Sequence, residues 1–297
     1  MTDLKTEVKN PHMIFISQSE EIKGFRIVFE SISATTCGGM VRNTIILDEY
    51  QSEDEWISRI HEILGDDGVL EELHCFVDMP NYDFLSDAAF YGLSRLYLYD
   101  ATKLTGLPFL HKMEKLNSLL IDSAQDLGKS KGMNDLIQFL KMQEKRYKEF
   151  LKLPSEEQIK MLFDFPYLEA LCIRGSGLKD LSMFSELTRS MHEINFSYNE
   201  IEDISPLAGL VSSYLFMSHN KISKGVADVV KKMSYPVDIY LRHNKIDDDE
   251  FQNLLNSKKE FIHIFLHHNL ITDYKGLADK HPSNTDVTDE EMGIRRW

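Results

Sequence analysis

Four segments decide how this chain is read: MHEINFSYNEI (191–201), SSYLFMSHNKI (212–222), PVDIYLRHNKI (236–246) and FIHIFLHHNLI (261–271). Each places an asparagine two residues before a final isoleucine, at Asn199, Asn220, Asn244 and Asn269, in steps of 21, 24 and 25 residues. A period in the twenties is the signature of a solenoid, in which a unit buries its apolar side only against its neighbours.

Weaker copies extend the pattern toward the N-terminus. Leu70, Leu73 and Cys75 precede Asp78; Leu93, Leu96 and Leu98 precede Ala101; Leu116, Leu119 and Ile121 precede Ala124, and both steps are 23 residues. The next copy, Leu168, Leu171 and Ile173 before Ser176, comes 52 residues after Ala124, so an insertion of 29 residues beyond one period separates them. Its pattern is helical, with Leu136, Leu140, Tyr147 and Leu151 expected on one face and Pro154 as the stop. Ser155 and Gln158 form a capping box for a second helix. The polar face of the insertion, with Lys141, Glu144, Lys145 and Lys148, fits either a spacer or an element that touches a partner.

Before the array, MIFIS (13–17) and FRIVFES (25–31) predict an N-terminal β-hairpin that caps the first unit. A turn is expected at Cys37-Gly38-Gly39, followed by a buried strand at TIIL (44–47). Ser52 and Glu55 form a capping box for a helix carrying Trp56, Ile57, Ile60, Ile63 and Leu64. The expected organisation is a β cap over 1–40, a first strand-helix unit with weak repeats over 41–127, a helical insertion over 128–166, regular repeats over 167–280, and a cap or tail over 281–297 in which Trp297 docks.

These segments, above all FSYNEIEDISPLAGL (Phe196–Leu210), resemble leucine-rich repeats of pattern LxxLxLxxNxI. The phrase is similar to the short-repeat subclass of phosphatase-regulator-like proteins and bacterial internalins. The resemblance covers about two thirds of the chain and implies an α/β solenoid, with a parallel sheet on the concave side and helices or short helical turns outside. Aspartate, alanine and serine replace the asparagine in the weaker copies. Helices are expected after Lys224 and Ile246, and a tighter turn at DISPLAGL after Glu202.

Elementary chemistry supports the asparagines as structural residues. The leucines alternate inward along a strand, and the chain then turns sharply while still buried, leaving backbone groups that need partners. Asparagine offers a donor and an acceptor on one short side chain. The opposite strand face is therefore the candidate binding face. Its columns hold Phe76, Tyr97 and Tyr99 with Arg95 toward one end, and Tyr214, Phe216, Tyr240 and Phe265 with Asp238, Arg242, His263 and His267 toward the other. Aromatics beside arginine are the composition of protein-interface hot spots. His219, His243 and His268 each precede an asparagine and form a column open to zinc or proton binding, but a flat column lacks the convergence a metal needs, so no metal is assigned.

Composition narrows the partner. With 48 Asp plus Glu against 33 Lys plus Arg, the formal charge is −15, which disfavours nucleic acid and anionic membranes and favours a basic or mixed-charge protein. No run approaches the roughly 20 apolar residues of a membrane span. Cys37, Cys75 and Cys172 are odd in number and far apart, as expected in a reducing cytoplasm. No phosphate-cradling glycine loop, HExxH or GxSxG is present, and none of the cysteines begins the Cys-x-Asp of repeat-linked ubiquitin ligases, so neither catalysis nor a cofactor is expected. The expectation is a non-catalytic module that captures a protein in its concave face, one version being an immunity protein that inhibits a toxin. The alternative is a bacterial effector or regulatory subunit that binds an enzyme or host protein without inhibiting it.

Overall fold

The computed structural model describes residues 5–10, 13–22, 25–34, 37–47, 52–64, 70–79, 81–129, 132–155, 157–158, 167–233, 237–257, 262–274 and 287–288. Among these residues, the strands lie in one open sheet in sequence order. The first four are β1 (Lys5–Asn10), β2 (Met13–Ile22), β3 (Phe25–Ala34) and β4 (Cys37–Leu47), paired antiparallel. From β4 onward every pairing is parallel. The strands are β5 (Glu72–Cys75), β6 (Arg95–Leu98), β7 (Ser118–Asp122), β8 (Ala170–Arg174), β9 (Arg189–Asn195), β10 (Leu210–Phe216), β11 (Val237–Tyr240), β12 (Ile262–Phe265) and β13 (Val287–Thr288).

Parallel neighbours require a return connection. Some returns use 3-10 turns, at Asp83–Ser86, Pro108–Lys112, Ser182–Phe184 and Ser205–Gly209. Others use helices: α1 (Glu53–Leu64), α2 (Gly132–Phe150), α3 (Val226–Lys232) and α4 (Asp248–Ser257). DISPLAGL thus makes the tight turn its Pro and Gly suggest, while the segments after Lys224 and Ile246 form helices.

Alternation along the strands fixes which face is buried. Leu73 and Cys75, Leu96 and Leu98, Leu119 and Ile121, Leu171 and Ile173 are all at most 1% exposed, and Ile194, Leu215, Ile239 and Ile264 continue the rows. They pack against Phe84, Phe90, Phe109, Phe184, Val229 and Phe251 from the returns in one continuous core. Each such aliphatic side chain contributes about 1.5–3 kcal/mol on burial.

The structure departs from the sequence reading at three places. The N-terminal region is four antiparallel strands rather than one hairpin, and β4 runs through position 40 into the parallel sheet. Cys37-Gly38-Gly39 opens β4 rather than forming a turn, with Cys37 paired to Ala34 of β3 just after a register shift between Ile32 and Ala34. On the insertion, Leu136 and Leu140 are buried, but Tyr147 and Leu151 are 37% and 51% exposed. Tyr147 instead packs along Tyr167, and Met133, Ile137, Gln143 and Phe150 complete the buried side. Gln158 donates its amide to the Leu151 and Leu153 carbonyls, tying the start of the second helical segment to the end of α2. Of the C-terminal tail only β13 is described; Trp297 lies outside the described residues.

Candidate functional site

The turns that follow the strands set the geometry of the site. In the turns after β6 to β12 a residue at the same position enters the left-handed region: Asp100, Ser123, Gly175, Tyr198, His219, His243 and His268, with φ between 49° and 64°. For residues other than glycine this costs on the order of 1–2 kcal/mol. Where an asparagine follows, after Tyr198, His219, His243 and His268, it offsets that cost. Asn199 accepts from the Ser176 and Leu178 amides and donates to the Ile173 and Phe196 carbonyls, so one side chain serves two successive turns. Asn244 and Asn269 do the same for the turns before them. In the weaker copies Asp78 holds Thr102 through its carboxylate, and Ala101 and Ala124 are fully buried.

Parallel register then brings the aromatic side chains together. Phe216 pairs laterally with Tyr240, and Tyr240 with Phe265. Their rings stack at 4.6 Å in both cases, with interplanar angles of 16° and 11°. Tyr214 joins the stripe at 6.3 Å from Phe216 and meets His192 edge-on at 5.3 Å. Arg242 lies over Phe265 at 5.7 Å. Asp238 and His263 are register neighbours joined at 2.8 Å, so each already has a partner. His267 meets His243 edge-on at 6.3 Å. Burial raises the Tyr240 phenol above its ordinary value, with Asp238 adding to the effect, so the Tyr240 hydroxyl is neutral at physiological pH.

A second aromatic cluster forms on β5 and β6. Phe76, 47% exposed, stacks face to face on Tyr99 at 4.3 Å. His74 links them to Tyr97 at 4.5 Å and bonds to Glu72 at 2.8 Å, while Arg95 pairs with Glu72 at 3.6 Å. Arg95 is therefore committed to Glu72 within the chain. Three strands, β7 to β9, lie between the two clusters. At the usual strand spacing that separates them by about 19 Å.

The column of His219, His243 and His268 expected from the sequence forms, and Tyr198 extends it. Tyr198, His219, His243 and His268 stack in series at 4.4, 4.2 and 4.3 Å, and Arg174 covers Tyr198 at 5.3 Å. The signal was the residue preceding each asparagine, whose left-handed backbone aims four rings the same way. Stacked imidazoles point their nitrogens along parallel lines, and among the described residues no group of His, Cys, Asp and Glu is arranged to hold a metal. Thiol chemistry is disfavoured too, because burial pushes the Cys75 and Cys172 thiols up to about 11 and about 12. A groove of about 680 Å³ beside α2 is lined by Lys141, Lys148 and Lys152 and their carboxylate partners Glu186, Glu144 and Glu149. No helix among the described residues is long and apolar enough to cross a membrane. No protein-family model matches the chain, and no curated protein matches it significantly.

Proposed function

We propose that the chain is a leucine-rich-repeat solenoid and a non-catalytic protein-binding module, holding a basic or mixed-charge partner on the concave face of its sheet. The carrying observation is the Phe216–Tyr240–Phe265 stack, an ordered aromatic stripe on the face opposite the core. Rigid aromatic rings lose little entropy on binding and supply large contact area, which is why they dominate hot spots. The asparagines spanning successive turns and the strand order support the repeat reading. Unpaired Cys75 and Cys172 fit a reducing cytoplasm.

In the version we favour, the module is an immunity protein that inhibits a toxin. Immobilised full-length chain is used to capture proteins from native lysate, and the captured protein is assayed with and without the chain. Loss of its activity supports the inhibitor; unchanged activity assigns the effector or regulatory role instead. If Tyr240→Ala captures the same proteins equally well, the binding reading of this face fails.

A further inference from the structure

The chain has 48 acidic against 33 basic side chains, and several of its exposed cations pair with carboxylates. Lys103, Lys179, Lys221 and Lys224 all meet carboxylates. Among the described residues, Arg174 and Arg242 do not. Asp122 is the register neighbour of Arg174, yet Arg174 lies over the Tyr198 ring. Arg242 leaves its Nε buried with no hydrogen-bond partner. Between these two arginines run the stacked rings of Tyr198, His219 and His243, and no carboxylate of the described residues forms an ion pair with these imidazoles or either arginine. Two unpaired guanidinium groups and a row of imidazole edges thus share one rim of an otherwise acidic protein.

We propose that this rim, Arg174–Tyr198–His219–His243–Arg242, is an anion subsite that takes aspartate or glutamate side chains of the protein partner. It rests on the reading that the adjoining aromatic face docks a protein, and it makes that partner a mixed-charge one. Guanidinium groups bind carboxylates through paired, charge-assisted bonds, and each imidazole edge adds a donor once protonated. The chain's overall negative charge opposes this only weakly at contact range, because salt screens charges beyond about 8 Å.

Proton uptake accompanies binding. The groups facing the stack are Tyr198 and His268 along the column, with His267 and Arg242 beside His243. Desolvation, then the neighbouring histidines, hold His219 and His243 below the ordinary imidazole value in the free chain. A bound carboxylate favours the charged form and raises them. Affinity therefore increases as pH falls through the range between the free and bound values, near and below 6.5.

The test is calorimetric titration of the full chain with an end-blocked hexaglutamate peptide at pH 7.5 and 6.0, in buffers of different ionisation enthalpy. The expected result is binding about fivefold or more tighter at pH 6.0, with measurable proton uptake. Arg174→Gln with Arg242→Gln weakens it at least about tenfold. His219→Asn with His243→Asn, which keeps a side chain tolerant of the left-handed turn, removes the pH dependence. Equal affinity at both pH values, pH dependence that survives the histidine changes, or indifference to the arginine changes overturns the proposal. Inorganic phosphate binding tighter than the peptide overturns its carboxylate assignment. A peptide that fails to bind while partner capture still depends on Tyr240 rejects the subsite and spares the docking face.

Discussion

Asn220 donates to the Phe196, Met217 and Ser218 carbonyls at 2.9, 3.1 and 3.4 Å and accepts the Ile201 amide at 3.1 Å. Two of these carbonyls belong to its own turn and the rest of the bonds reach the turn before it, so the side chain replaces water for both. Asn220→Ala is expected to cost about 2–3 kcal/mol, because the buried backbone groups lose their partner. Urea unfolding checks this as a lower midpoint at unchanged slope. These asparagines were legible in the sequence because their chemistry and spacing are local. Of the residues before them, His219, His243 and His268 were legible as a column, but Tyr198 was not, since ring stacking depends on lateral register that no single repeat encodes. The pairing of Arg95 with Glu72 was hidden for a similar reason, the two lying on different strands 23 positions apart.

At the scale of elements, helices are secured by side chains from neighbouring units. Gly225 caps α3 at φ 89° without a side chain, and Glu250 of α4 accepts the Val226 and Ala227 amides at 2.8 and 3.3 Å. Burial raises the Glu250 carboxyl above its ordinary value, outweighing those two bonds. The folded chain therefore holds this proton more readily than the unfolded chain, and Glu250's contribution to stability declines as pH rises above about 4.5. Glu250→Gln keeps the acceptor without the charge, so its stability relative to wild type improves from pH 4.5 to 7. Glu250→Ala uncaps the helix and costs about 1–2 kcal/mol at pH 4.5 and less at pH 7. Thermal unfolding of the three proteins across that range measures both effects.

The insertion is secured in the same way. Gln143, fully buried, donates to the Leu116 carbonyl at 3.2 Å and accepts the Leu168 amide at 3.0 Å, bridging the point where one period is interrupted. Arg189 donates to the Leu168 carbonyl at 2.6 Å and lies 3.8 Å over Tyr167. Gln143→Leu strands two buried backbone groups and is expected to destabilise the chain by about 2–3 kcal/mol. Faster amide exchange confined to α2 and the start of β8 would locate the damage. Helical periodicity revealed α2 but misplaced its apolar face toward Tyr147 and Leu151, because a buried Gln143 reads as polar in any hydrophobic pattern.

For the whole molecule, alternation and period together separated a core face from an opposite face, and the aromatic columns could be written down before any coordinates. What alternation cannot convey is which rings touch. The C-terminal column closes into a continuous stack, whereas Leu120, Cys172 and Asn195 interrupt it on β7 to β9, leaving two aromatic clusters rather than one. The four-stranded N-terminal region was read as a hairpin followed by a strand at 44–47, and β1, KTEVKN, was missed because it is polar and lacks a hydrophobic pattern.

The central claim is that the stacked stripe serves binding rather than folding. It is tested most directly by measuring, for Phe216→Ala and Tyr240→Ala, both affinity for the protein captured by the wild-type chain and the thermal midpoint. The account predicts a loss of more than about 2 kcal/mol in binding, roughly thirtyfold in Kd, with a midpoint within about 2 °C of wild type. Unchanged affinity, or a fall in stability as large as the fall in binding, would contradict it.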